Sequence, residues 1–121
     1  NNHELGDIFG VKLSTREEVV PYGRKLQEMG AQNVLISMAG EGAVLIAADG
    51  QSMGAPAPKG TLVNGVGAGD SMVAGFLTGW MEKKDYVHAF HMGIAAGSAS
   101  AFSENLATRE EVLQVLQQVE Q

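Results

Sequence analysis

Cysteine is absent from this chain, which excludes a disulfide framework and any thiolate metal site. Long apolar runs are missing too. No stretch approaches the roughly 20 residues that a membrane-spanning helix needs, and no secretory leader is legible. A cytoplasmic protein with no membrane partner is therefore the expectation. Positive charge is scarce: eight Lys and Arg face fourteen Asp and Glu, for a net charge of −6. There is no basic cluster, so sequence-independent nucleic-acid binding is disfavoured. His88 and His91 lie three apart with no acidic or cysteine partner in reach of the pattern, so zinc is not expected.

What is present points to an α/β domain. The 121 residues suffice for one modest domain. Apolar residues make up 45 % of the chain, enough for a core and too many for a disordered segment. Sixteen glycines fall at segment ends and in short loops, the punctuation of tight turns.

The elements follow in order. Ser14-Thr15-Arg16-Glu17 reads as a capping box, with a helix over residues 19–29. Pro21 sits awkwardly inside it, and Gly30 closes it. Residues 33–38 and 43–48 are short apolar runs that predict strands. Between them Ala39-Gly40-Glu41-Gly42 is a turn, and Asp49-Gly50 makes a hairpin to a third strand over residues 51–57. Residues 61–63 are expected to be extended. Helices are predicted from about residue 68 to 82, from 86 to about 102, and after the capping box Thr108-Arg109-Glu110-Glu111, where Val112, Leu116 and Val119 point inward. Met29, Met53, Met72, Met81 and Met92 are expected to fill core. Small residues at Gly93, Ala96, Gly97 and Ser100 would admit either a second backbone or a flat ligand.

Asn64-Gly65-Val66-Gly67-Ala68-Gly69-Asp70 carries the chemistry. Val73, Phe76, Leu77, Trp80 and Met81 recur behind it at helical spacing. Gly67, Ala68 and Gly69 should therefore lie at a helix N-terminus, where unpaired N–H groups attract phosphate. A carboxylate beside such a cradle repels phosphate. Asp70 makes sense as a base acting on the nucleophile that attacks it. A plain capped helix start, with Asp in its first turn, is the competing reading. The chain has no Walker A loop, no Rossmann fingerprint and no protein-kinase glycine loop.

The stretch Asn64 to Gly75 resembles the C-terminal signature of the ribokinase-like (PfkB) carbohydrate kinase family, whose specific core is G-A-G-D. Asn1-x-x-Glu4 is similar to the family's N-x-x-E motif, and Ser37-Met38-Ala39-Gly40-Glu41-Gly42-Ala43 to its nucleotide loop. The three occur in family order. Residues 97–102 and 105–108 lean toward the branch of fructose-1-phosphate and tagatose-6-phosphate kinases.

The resemblance implies an α/β fold: the C-terminal part of a ribokinase-like three-layer architecture, helix-rich, with a short strand and a β-hairpin. Residues 1–121 would be the nucleotide-binding portion of a longer sugar kinase, without its N-terminal half and lid. ATP and Mg²⁺ are the implied cofactors and a sugar phosphate the implied partner. A homodimer of the full-length protein is compatible with it. Asp70 would be the catalytic base. The N–H groups of Gly67, Ala68 and Gly69 would form the anion hole. Ser37, Gly40, Gly42 and Asn64 would contact the nucleotide, with Ala96 and Gly97 receiving the adenine. Glu4 and Asn1 would hold Mg²⁺ through water. The expected reaction is phosphoryl transfer to fructose 1-phosphate, with tagatose 6-phosphate as the alternative acceptor. The 121 residues by themselves are expected to be inactive. A non-catalytic nucleotide-binding module and a purely structural domain are the other readings.

Overall fold

In a computed structural model of the chain, residues 1–38, 41–60, 63, 67–102 and 107–120 are described. Gly40 and Asn64, both assigned above to the nucleotide, lie outside them, as do Thr61 and Leu62. The chain divides into two compact units, Asn1–Pro56 and Ala57–Gln121.

The first unit opens with a helix that the periodicity does not announce, α1 (Asn2–Phe9). Asn1 is its N-cap: Asn1 Oδ1 accepts the Glu4 N–H at 2.8 Å, and Glu4 Oε1 accepts from the Asn1 amine at 3.2 Å. The Asn1-x-x-Glu4 spacing is thus also a capping box, two helix-end donors satisfied reciprocally. Asn2 Nδ2, buried, donates to the Leu13 carbonyl at 2.8 Å and ties the helix to the chain beyond it.

Helix α2 (Arg16–Glu28) begins earlier than expected. Its N-cap is Thr15 and the reciprocating residue is Glu18, one position beyond the predicted Ser14–Glu17 pair. The side chains decide this. Glu18 Oε1 reaches both the Ser14 N–H (3.1 Å) and the Thr15 N–H (2.9 Å). These two bonds, with that from Thr15 Oγ1, hold the Glu18 carboxyl below the ordinary glutamate range. Pro21 lies within α2, which continues through it. The helix forgoes the bond that residue 21 would have made to the Glu17 carbonyl.

Three antiparallel strands follow, β1 (Val34–Ser37), β2 (Ala43–Ile46) and β3 (Ser52–Ala55), in the order β1-β2-β3. Each is shorter than its sequence pattern by two or three residues. Val34 pairs with Ile46 and Ser37 with Ala43. Ala43 in turn pairs with Ala55. Every residue of β2 is buried. The core of this unit joins Leu5, Leu13, Val19, Val34, Ile36, Met38, Val44 and Ile46. At the α1–α2 contact, Phe9 and Tyr22 meet at 5.3 Å, with Lys25 Nζ over both rings.

The second unit is helical: α3 (Ala68–Lys83), α4 (Tyr86–Ala101) and α5 (Arg109–Glu120). As predicted, Thr108 and Glu111 cap α5 reciprocally. Leu116 packs on Met92 and Ala95, with Val112 and Val119 beside it.

Helix α3 departs from its periodic pattern. Val73, Leu77 and Met81 are more than half exposed, and the buried stripe is Gly75, Phe76 and Gly79. The reason is close approach. A Cβ at Gly75 would stand 2.6 Å from the Met92 carbonyl oxygen and 2.7 Å from Ala96 Cβ, so the faces of α3 and α4 that meet must be nearly bare. Met29 and Met81 are likewise largely exposed rather than core. Met92 is buried.

Candidate active site

Gly67 is the N-cap of α3 and adopts a left-handed conformation, φ 82°. An L-residue with a Cβ reaches that region only at a cost. The first bond of the helix runs from the Ser71 N–H to the Gly67 carbonyl at 2.9 Å. The N–H groups of Gly67, Ala68, Gly69 and Asp70 therefore precede it and find no acceptor within the helix. They converge at the positive end of a sixteen-residue dipole. Asp70 is exposed in the same first turn. Gly67, Ala68, Gly69 and Asp70 thus stand at a helix start, where the sequence pattern sets them.

Gly69 is informative among them. Among the described residues nothing lies within 4 Å of a Cβ placed there, and its φ lies outside the left-handed range. Neither packing against the described residues nor backbone geometry calls for glycine at this position. A ligand approaching the open N–H groups would call for it.

The first turn of α3 is braced from α4. The Gly97 Cα faces Ala68, and a Cβ at 97 would stand 3.0 Å from the Ala68 carbonyl oxygen. Ser100, 4 % exposed, donates from its Oγ to Ser71 Oγ at 3.0 Å. Ser100 Oγ also accepts the Ala107 N–H at 3.2 Å. The Val63 N–H donates to the Ala101 carbonyl at 2.9 Å. The small face of α4 thus receives a second backbone, the first of the two occupants considered above; Ala96 and Gly97 are buried there. Sequence reasoning noted Ser100 only for its size. Its hydroxyl partner is 29 residues away on another helix, where no local spacing could reveal it.

The remaining predicted residues belong to the first unit. Ser37 ends β1, half-buried and paired with Ala43. Gly42 has φ 96°, and a Cβ there would run into the Ala55 carbonyl oxygen and Pro56. The tight β1–β2 connection therefore needs glycine at 42 on its own account. Asn1 and Glu4 are exposed and cap α1. Glu4 is a carboxylate with an amide oxygen one turn away, and Mg²⁺ suits so sparse a set because it keeps several waters. Among the described residues no helix is long and apolar enough to cross a membrane.

Known proteins resemble this chain throughout. The chain is 52 % identical over 119 residues to the 1-phosphofructokinase of Bacillus subtilis (strain 168), which covers 98 % of this chain and 39 % of that protein. It is 32 % identical over 121 residues to the D-tagatose-1-phosphate kinase of Klebsiella oxytoca, covering 99 % and 39 %. A crystal structure of a Staphylococcus aureus protein assigned as a phosphofructokinase superposes with a TM-score of 0.91 at 39 % identity, covering 98 % of this chain and 38 % of that one. The chain thus spans about two fifths of the length of the proteins it matches. The likeness to solved structures extends to ribokinases, at 24 % identity and a TM-score of 0.82, so the helix-rich α/β fold is ribokinase-like. The model of the pfkB family carbohydrate kinases matches residues 1–113, nearly the whole length, and the chain belongs to that family.

Proposed function

We propose that this chain is the ATP-binding, C-terminal portion of a sugar-phosphate kinase. The whole protein would transfer the γ-phosphoryl group of ATP to a hydroxyl of a phosphorylated ketohexose. The opening of α3 carries the reading: four N–H groups without a helical acceptor, an exposed carboxylate among them, and a glycine at 69 that packing against the described residues does not require.

The chemistry follows from those groups. The Asp70 carboxylate takes the proton of the acceptor hydroxyl. The hydroxyl oxygen bonds to the γ-phosphorus, and the bridging O–P bond breaks to release ADP. The N–H groups of Gly67, Ala68 and Gly69 meet the charge spread over the transferring oxygens. One preorganised donor of this kind is worth about 3 kcal/mol of barrier. Mg²⁺, when bound, neutralises phosphate charge. Glu4 and Asn1 would hold it through water, using lone pairs left beyond the cap. Ser37, Gly40, Gly42 and Asn64 are assigned to the nucleotide on the family resemblance; the adenine that the resemblance would set on Ala96 and Gly97 meets a face already packed against α3.

Fructose 1-phosphate, giving fructose 1,6-bisphosphate, is the first choice of acceptor, because the more similar of the two relatives described is named for it. The other relative is named for tagatose phosphorylated at C1, so tagatose 1-phosphate joins tagatose 6-phosphate as the alternative. A non-catalytic nucleotide binder is less favoured, since Asp70 would only weaken its hold on phosphate.

The test is ADP release by the full-length protein across a panel of free and phosphorylated ketohexoses. Turnover on fructose 1-phosphate supports the proposal. Silence on every sugar, with nucleotide still bound, would favour the binding module.

A further inference from the structure

Resting on that reading, we infer that Ser100 is a positioning residue for phosphoryl transfer: through Ser71 it sets the direction in which the first turn of α3 presents its N–H groups and Asp70.

The argument begins with what the hydroxyl of Ser100 does. It is buried, and it has one proton to give and lone pairs to offer. The proton goes to Ser71 Oγ at 3.0 Å, and a lone pair takes the Ala107 N–H at 3.2 Å. One side chain thereby joins three segments: the last turn of α4, the first turn of α3, and the chain leading into α5.

Ser71 is held from two directions. Its N–H closes the first helical bond, to the carbonyl of Gly67. Its hydroxyl is fixed by Ser100. Asp70 is its chain neighbour, and the open N–H groups are those of the residues immediately before it. A rotation of the first turn about the helix axis would move the carboxylate and the anion hole together, and the Ser71–Ser100 bond resists that rotation. Gly97 complements it. Its bare Cα lets the Ala68 carbonyl settle onto α4, but it supplies no directional bond. The directional element is Ser100.

Positioning of this sort matters more for the reaction than for binding. A phosphate attracted to a helix end tolerates a small misorientation, because the field there is broad. Proton removal by Asp70 does not, since a displacement near 1 Å can cost about 100-fold in rate.

The experiment uses the full-length protein with ATP and the sugar phosphate on which the wild type turns over. Ser100→Ala is expected to lower kcat about tenfold or more, with the KM for ATP changed less than about threefold. Ser71→Ala should do the same, and the double variant should be no slower than the worse single one, because each removes the same Ser71–Ser100 bond. Ser100→Cys, which keeps a weak donor and acceptor, should recover part of the rate. A kcat within twofold of wild type for Ser100→Ala overturns the inference. So do multiplicative losses in the double variant, and so does a rate loss matched by an equal loss of nucleotide affinity. If Ser100→Ala does not fold, Ser71→Ala and Ser100→Cys carry the same test. A wild type silent on every sugar phosphate overturns the proposed function itself, and this inference with it. An active wild type with an indifferent Ser100 overturns this inference alone.

Discussion

Gly97 on α4 lies against Ala68 on α3, with a hypothetical Cβ at 97 only 3.0 Å from the Ala68 carbonyl oxygen and 3.2 Å from Met72 Cβ. The turn that carries the candidate anion hole therefore rests on bare backbone. Gly75 makes the reciprocal contact from α3, against the Met92 carbonyl and Ala96 Cβ. Glycines in this region serve two ends, helix contact at 75 and 97 and access at 69, and substitution separates them.

Gly75→Ala should destabilise the protein. Alanine gains about 1 kcal/mol over glycine in a helix. A methyl under 3 Å from the Met92 backbone forces the helices apart, and overpacking costs about 1–3 kcal/mol. A lowered urea midpoint with an unchanged slope is the expected result. A variant as stable as wild type would mean that α3 and α4 can separate without loss.

Gly69→Ala should behave in the opposite way. With open space around it, the methyl leaves the fold intact, and helix propensity adds up to about 1 kcal/mol of stability. The methyl also stands beside the N–H groups that phosphate must reach. kcat/KM for ATP should fall about tenfold or more. Full activity in this variant would argue that phosphate does not approach the first turn of α3.

Asp70→Asn discriminates catalysis from binding. Loss of a general base lowers kcat by about 10²- to 10⁴-fold. Removing a negative charge from the helix N-terminus should leave nucleotide affinity unchanged or improved. Steady-state kinetics paired with calorimetric titration of ATP reads both. A variant that loses affinity and rate equally would show the carboxylate holding the nucleotide instead.

Acid should weaken the start of α2 through Glu18. Its carboxylate accepts the Ser14 and Thr15 N–H groups, which lowers its pKa in the folded state. A group with a depressed folded pKa contributes stability above its unfolded pKa and loses it as pH falls through the folded value. The stability gap between wild type and Glu18→Gln should therefore be present at neutral pH and close below the ordinary glutamate range. A gap independent of pH down to full protonation would remove the charge from the explanation.

Thr15→Ala should cost about 1 kcal/mol, the usual worth of an N-cap side chain. Thermal unfolding measures it. Ser14→Ala should cost less, because only the backbone of Ser14 takes part in the cap.

The pattern of legibility has a physical cause. Turns, caps and the placement of the G-A-G-D segment at a helix start were readable because they depend on neighbours a few residues away. Gly30, Gly50, Thr108 and Glu111 behave in this way. So do Gly67, Ala68, Gly69 and Asp70, which a single helix end brings together. Helix α1 escaped notice because Asn1 and Glu4 serve as well for a cap as for a motif, and the pattern does not say which.

From the sequence alone came the order of the elements after α1, the ends of α3, α4 and α5, and the carboxylate beside the open N–H groups of α3, all consequences of local backbone preference. The tertiary structure decided which side of α3 is buried, since Val73, Leu77 and Met81 are as apolar as any core residue and yet face outward. It also decided what the small residues of α4 are for, and it joined Ser100 to Ser71. Those outcomes depend on how closely two helices approach, which is set by the fit of whole surfaces and not by the spacing of residues along either one.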